Sequence, residues 1–128
     1  MSGKLVFVVD DEEMIADALA AYLESHGLAA MVLYDPAEAL AASISHRPDL
    51  LLTDFKMPTM DGIALAMSIT DRHPDCRVLL MTGHAHDLVP HPEFARFEFV
   101  HKPIPLADLM AKVRWMLGGR EGGAADSG

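Results

Sequence analysis

One cysteine in 128 residues, Cys76, is too few for an internal disulfide or a cysteine-built zinc site, and it reads as a small buried thiol. Positive charge is scarce as well. Ten Lys plus Arg stand against nineteen Asp plus Glu, a formal net charge of −9 that disfavours phosphate backbones and anionic lipid as direct partners. No apolar run approaches the roughly 18 residues of a membrane span. The run Leu5–Val9 before Asp10 is too short for the core of a secretion signal, so the chain reads as cytoplasmic, with no nucleic acid and no membrane as direct partners. Internal repeats are absent, and the length leaves room for one domain of ordinary size. What is present is a globular composition, 51% hydrophobic and 23% charged, well away from that of disordered chains.

Five short apolar runs punctuate the chain: Leu5–Val9, Ala29–Leu33, residues 50–52, residues 78–81 and a weaker one over 97–100. Most are nearly continuous rather than alternating, which suits strands buried on both faces of a parallel sheet. Helical periods lie between them. Met14, Ile15, Ala18, Leu19, Tyr22 and Leu23 form a first stripe, stopped by His26-Gly27; Pro36 opens a second helix with Ala37, Leu40, Ala41 and Ile44 on one stripe. A third helix is predicted over 61–72. The last begins near Pro105, with Leu106, Leu109, Met110, Val113, Met116 and Leu117 on one face and Trp115 on the opposite, exposed face. The ordered domain is expected over 4–118, and the Gly-rich residues 119–128 read as a flexible tail or linker stub. Five alternations of strand and helix predict a doubly wound α/β fold, a five-stranded parallel sheet with helices on both faces.

In such sheets function gathers at the carboxyl ends of the strands. Asp10, Asp11 and Glu12 follow the first run, Asp54 the third, Thr82 the fourth and Lys102 the fifth. Carboxylates gathered on one rim repel one another unless a cation sits among them, and an all-oxygen set suits Mg²⁺. Lys102 and the Thr82 hydroxyl offer donors to a second anionic group, such as a phosphoryl group on Asp54. Blander uses remain open: Asp10 and Asp11 could cap a helix, Thr82 could satisfy a backbone group, and Phe99 could be plain core. His84, His86, His91 and His101 invite a zinc reading, but no second pair with ligand spacing supports it.

The segment Arg47-Pro-Asp-Leu-Leu-Leu-Thr-Asp54-Phe-Lys-Met-Pro-Thr-Met-Asp-Gly62 strongly resembles the phosphorylation-site segment of the receiver domain of two-component response regulators. The Asp10-Asp11 pair, Thr82-Gly83 and Lys102-Pro103 match its other landmarks in order. The resemblance implies a flavodoxin-like strand order 2-1-3-4-5, with Asp54 as phosphoacceptor. It implies Asp11, Asp54 and the Lys56 carbonyl as direct Mg²⁺ ligands, Asp10 acting largely through water, Thr82 and Lys102 contacting the phosphoryl group, and Thr82 with Phe99 as the switch pair. It also implies a sensor histidine kinase or histidine phosphotransfer protein as donor, and a homodimer through the fourth-helix to fifth-helix face as a candidate pairing. Such a domain is no enzyme beyond accepting its own phosphoryl group and losing it slowly. Lys56 and His84 are placed to admit or block the hydrolytic water, and the Lys102-Pro103 bond is expected to be cis.

Two rivals differ in class. A haloacid-dehalogenase-type phosphohydrolase wants Asp-x-Asp after its first strand, where this chain has Asp10-Asp11-Glu12, and would turn over phosphate esters steadily. An interaction module that is never phosphorylated would not need the intact acidic pair, Asp54, Thr82 and Lys102. The chain departs from the family pattern between Thr82 and Phe99, where Pro90 and Pro92 interrupt what is usually one helix. A proline within a helix costs about 3 kcal/mol, which predicts a short turn over 84–89, a break, and a second short turn opened by Pro92.

Overall fold

The computed structural model describes residues 4–119; the predicted tail lies outside the described residues from 120 onward. Strand β1 (Leu5–Val9) leads to α1 (Glu13–Ser25), β2 (Ala29–Leu33) to α2 (Pro36–Ser45), and β3 (Leu50–Asp54) to α3 (Gly62–Arg72). After β4 (Arg77–Thr82) come two 3-10 turns, Ala85–Leu88 and Pro92–Arg96, then β5 (Glu98–His101) and α4 (Leu106–Arg114), which widens into a π turn over Trp115–Gly119. All strand pairs are parallel and the order is β2-β1-β3-β4-β5, as expected.

The continuous apolar runs are explained by burial on both faces. Val6, Val8, Leu50, Leu52, Leu79 and Met81 point to the side covered by α1 and α4, where they meet Leu19, Leu23, Leu109 and Val113. Their neighbours Phe7, Val9, Leu51, Val78 and Leu80 point to the side covered by α2 and α3, where Ile63, Leu65 and Ile69 pack. Asp35 caps α2 by accepting from the Glu38 N–H at 2.8 Å, ahead of Pro36. Gly27, at φ +91°, ends α1 in the left-handed conformation that glycine favours.

The helix faces differ from the predicted stripes. In α1 the core takes Ala16, Leu19, Ala20 and Leu23, leaving Met14, Ile15 and Ala18 exposed. In α2 it takes Pro36, Ala39 and Ser43, leaving Ala37, Ala41 and Ile44 exposed. Both helices are alanine-rich all round, so apolar periodicity has no single maximum. Buried Ser43 satisfies its hydroxyl on the Leu40 carbonyl at 2.7 Å, and polarity is no bar to its burial. Leu106, at the start of α4, is exposed. Strand β5 starts one residue later than predicted, with Glu98 held by Lys112 Nζ at 2.8 Å.

Other expectations hold. Cys76 is buried, and that burial pushes its thiol up to about 12. Trp115 is exposed at 43%, with Lys112 Nζ 4.9 Å from its ring centre. The Lys102-Pro103 bond is cis. The fourth crossover is broken as the prolines require, into two short turns with Pro92 opening the second. It is fastened to the body by Leu88, fully buried among the core residues of the α2 and α3 face. Leu88→Ala is expected to destabilise the domain by about 3 kcal/mol, read as a lower urea midpoint, because it removes a fully buried side chain and leaves a cavity in the core.

Candidate functional site

The strand register builds one rim. Val9 is level with Thr53, Asp54 with Met81, and Thr82 with His101. The ladder runs one bond beyond the strand ends, from Asp10 N–H to Leu33 O at 3.2 Å, Phe55 N–H to Met81 O at 2.8 Å, and Lys102 N–H to Thr82 O at 2.8 Å. Asp10, Asp54, Thr82 and Lys102 therefore leave the sheet at the same level. Asp11 joins them, and one oxygen each from Asp10, Asp11 and Asp54 lies within 4.8 Å of the others.

Two of these acids, Asp10 and Asp54, are buried, while Asp11 is exposed. One Asp10 oxygen accepts from the Glu12 N–H at 2.9 Å, so Asp10 does order the start of α1 although Glu12 occupies the cap position. Its other oxygen, Oδ2, is buried and has no hydrogen-bond partner among the described residues. Leaving a carboxylate oxygen desolvated and unbonded is costly, so this atom asks for a cation. Lys102 Nζ meets Asp54 Oδ1 at 2.9 Å, and three carboxylates against one ammonium leave an excess that a divalent ion neutralises. The donor set, hard oxygens with one of them orphaned, fits such an ion.

The electrostatics follow. Burial, aided by Asp54 and Asp11, pushes the Asp10 carboxyl from 3.8 up to about 6 against the pull of the Glu12 N–H and Lys102. Burial likewise raises Asp54, with Lys102 opposing. Lys102 is itself penalised by burial, but its hydrogen bond to Asp54 and the surrounding acids outweigh that and hold it protonated.

A cleft of about 430 Å³ opens over these groups, lined by Asp11, Asp54, Lys56, Thr82, His84 and Lys102 together with Glu12, Gly83 and Asp87. The Thr82 hydroxyl donates to the His84 carbonyl at 3.0 Å and accepts from the His84 N–H at 3.1 Å, so the local backbone role is real, yet it sits in the same cleft as Asp54. Phe99 stands apart on β5, half-buried against the α2 and α3 core with its ring 5.9 Å from His101. The only metal-capable cluster among the described residues contains no histidine. Asp87 was not among the residues singled out from sequence; it enters the cleft because the broken crossover turns it there.

Gly62 has a role that a motif alone does not explain. The loop after β3 folds back so tightly that the Gly62 N–H bonds the Phe55 carbonyl at 2.7 Å, and a Cβ on Gly62 would lie 2.5 Å from the Asp54 carbonyl oxygen. Any side chain here must push the Asp54 backbone.

Strand order and rim together are those of a two-component receiver. The chain belongs to the response regulator receiver domain family, whose model matches residues 6–114. It is 38% identical over 116 residues to the DNA-binding transcriptional regulator NtrC of Escherichia coli K12, covering 88% of this chain and 24% of that one. The chain thus spans about a quarter of the length of the NtrC relatives it matches. Among solved structures it is similar to the response regulator TrrA of Thermotoga maritima in complex with Mg²⁺-BeF, with a TM-score of 0.80, 29% identity and coverage of 89% of this chain and 99% of that one. A CheY-like receiver domain protein from Methanospirillum hungatei gives a TM-score of 0.85 at 26% identity, covering 93% and 97%.

Two outcomes follow. Gly62→Ala is expected to cost about 1 to 3 kcal/mol in urea unfolding and to disturb Asp54 chemistry with it. Because the folded-state pKa of Asp10 is raised, its contribution to stability is complete below 3.8 and is lost as pH rises through about 6. Metal-free protein should therefore melt at lower temperature at about pH 8 than at about pH 5, added Mg²⁺ should raise the melting temperature more at the higher pH, and Asp10→Asn should flatten both effects in scanning calorimetry.

Proposed function

We propose that Asp54 is the phosphoacceptor of a two-component phosphorelay and that its modification switches a protein-binding surface. The observation that carries this reading is the Asp54 carboxylate, paired with Lys102 at 2.9 Å inside an acidic cluster that has an orphaned Asp10 oxygen. Asp11, Asp54 and the Lys56 carbonyl would hold Mg²⁺ directly, with Asp10 acting largely through water. Bound there, Mg²⁺ supplies the positive charge that lets an anionic phosphoryl group approach a carboxylate.

An Asp54 oxygen attacks phosphorus in line as the bond to the donor's imidazole nitrogen breaks, so the phosphoryl group passes from a histidine kinase or histidine phosphotransfer protein to the chain. The Lys102 ammonium then shares its charge with the phosphoryl oxygens. To donate to the same group, the Thr82 hydroxyl must leave the His84 carbonyl, which also accepts from the Asp87 N–H at 2.9 Å. Chemistry at Asp54 thereby reaches the first 3-10 turn, and Phe99 moves into the space that Thr82 vacates. Lys56 and His84, lining the cleft, control the access of water.

The receiver unit is taken as residues 4–118, working in the cytoplasm. No helix of the described residues is long and apolar enough to cross a membrane. The face formed by the fourth crossover and α4, where Trp115 is exposed, is the candidate surface for a partner or a second copy. It contains no regular fourth helix, so docking there differs from that in receivers that have one.

Incubation with Mg²⁺ and acetyl phosphate is expected to add one phosphoryl group, mapped by mass spectrometry to Asp54, and Asp54→Asn should abolish it. Equal uptake by the Asn variant would assign the acceptor elsewhere. Continuous release of phosphate from small esters would support the hydrolase reading instead.

A further inference from the structure

We propose that Asp87 is a second catalytic carboxylate at this cleft, the base that takes a proton from the water that hydrolyses phosphorylated Asp54. The inference rests on the reading of Asp54 as phosphoacceptor. Asp87 lines the same cleft as Asp54, Thr82 and Lys102 but lies outside the carboxylate group that can share a cation. Its backbone is set from two directions. The Asp87 N–H donates to the His84 carbonyl at 2.9 Å, and His84 is tied to the Thr82 hydroxyl by two bonds. The next residue, Leu88, is sunk in the core. His86 Nε2 lies 3.5 Å from Asp87 Oδ1. With 29% of its side chain exposed, Asp87 is open to water.

A carboxylate lining the same cleft as a phosphoryl dianion works against acceptance through its charge, and it can also assist another step. The step its chemistry allows is proton removal. The water oxygen forms a bond to phosphorus while the bond from phosphorus to the Asp54 oxygen breaks. Asp54 is regenerated as carboxylate, inorganic phosphate departs, and the water proton passes to Asp87 and from there to solvent. Lys56 and His84 line the cleft but bring no carboxylate. Glu12, the other acid there outside the cation group, sits at the start of α1 with its N–H on Asp10.

The test uses the full chain, charged with acetyl phosphate and Mg²⁺, freed of donor, and followed by intact mass as the phosphoprotein decays. Asp87→Asn is expected to lengthen the half-life about tenfold or more, and Asp87→Glu to restore it to within about threefold of the parent. Asp87→Ser serves as a second variant should the Asn protein fail to fold. A half-life within about twofold of the parent in both Asn and Ser variants overturns the proposal. So does faster uptake with unchanged decay, which marks simple repulsion, or a longer half-life in Glu12→Gln but not in Asp87→Asn. Failure of the parent to take up a phosphoryl group would overturn the Asp54 reading and this inference with it, whereas uptake with decay indifferent to Asp87 overturns this inference alone.

Discussion

Two buried acids at the tips of adjacent central strands are the constraint on which the rim depends. Pairing of β1 with β3 puts Val9 level with Thr53, so Asp10 and Asp54 emerge side by side with no freedom to separate. Lys102 comes from the far edge strand and crosses above Thr82 to reach Asp54, meeting one of the acids and leaving the rest of the negative charge unbalanced. Burial at the strand tips is the first cause of the raised carboxyls of Asp10 and Asp54, with the neighbouring acids adding to it and Lys102 opposing. Burial favours the protonated carboxyl, whereas a cation among the acids would favour the ionised form and keep the Asp54 oxygen nucleophilic.

The cost of such a rim is offset elsewhere. The central strands are closed on both faces by large aliphatic side chains, with Leu50, Leu51, Leu52, Leu79 and Leu80 all fully buried. Apolar burial at about 25 cal/mol per Å² over two faces can carry a few kcal/mol of unsatisfied charge at one end. Among the described residues, the one buried side-chain polar atom without a hydrogen-bond partner, Asp10 Oδ2, lies at this rim.

Four of the strands were legible because their apolar runs are unbroken, and the rim because reactive side chains follow four of the five runs within two residues. The inward faces of α1 and α2 were not, since alanine is as tolerable outside as inside, and Ser43 carries its own acceptor within its helix. The edge strand was misplaced by one residue because Glu98 is kept in the sheet by Lys112, a partner 14 positions away that no local pattern reveals. Gly62 was visible as part of a motif, but its reason, a carbonyl where a Cβ would stand, exists only in three dimensions. Asp87 lacked any signal at all: nothing in the pattern of residues 83–96 says which side of a proline-broken turn faces the cleft.

That broken crossover gives the site its individual character. An α-helix between β4 and β5 would satisfy its own backbone groups, whereas a 3-10 turn of four residues leaves its first carbonyl, that of His84, to be shared between the Asp87 N–H and the Thr82 hydroxyl. Thr82 is thus part of the turn's hydrogen bonding and part of the cleft at once. Any group bound at Asp54 that recruits this hydroxyl must withdraw one of the two donors from His84, and the turn has few others to replace it. Leu88, buried four residues further on, limits how far the segment can move in response. The response available is a local exchange between Thr82 and the backbone of residues 84–88, so that in the proposed reading the signal is carried by a turn pinned at one end by Thr82 and at the other by the core.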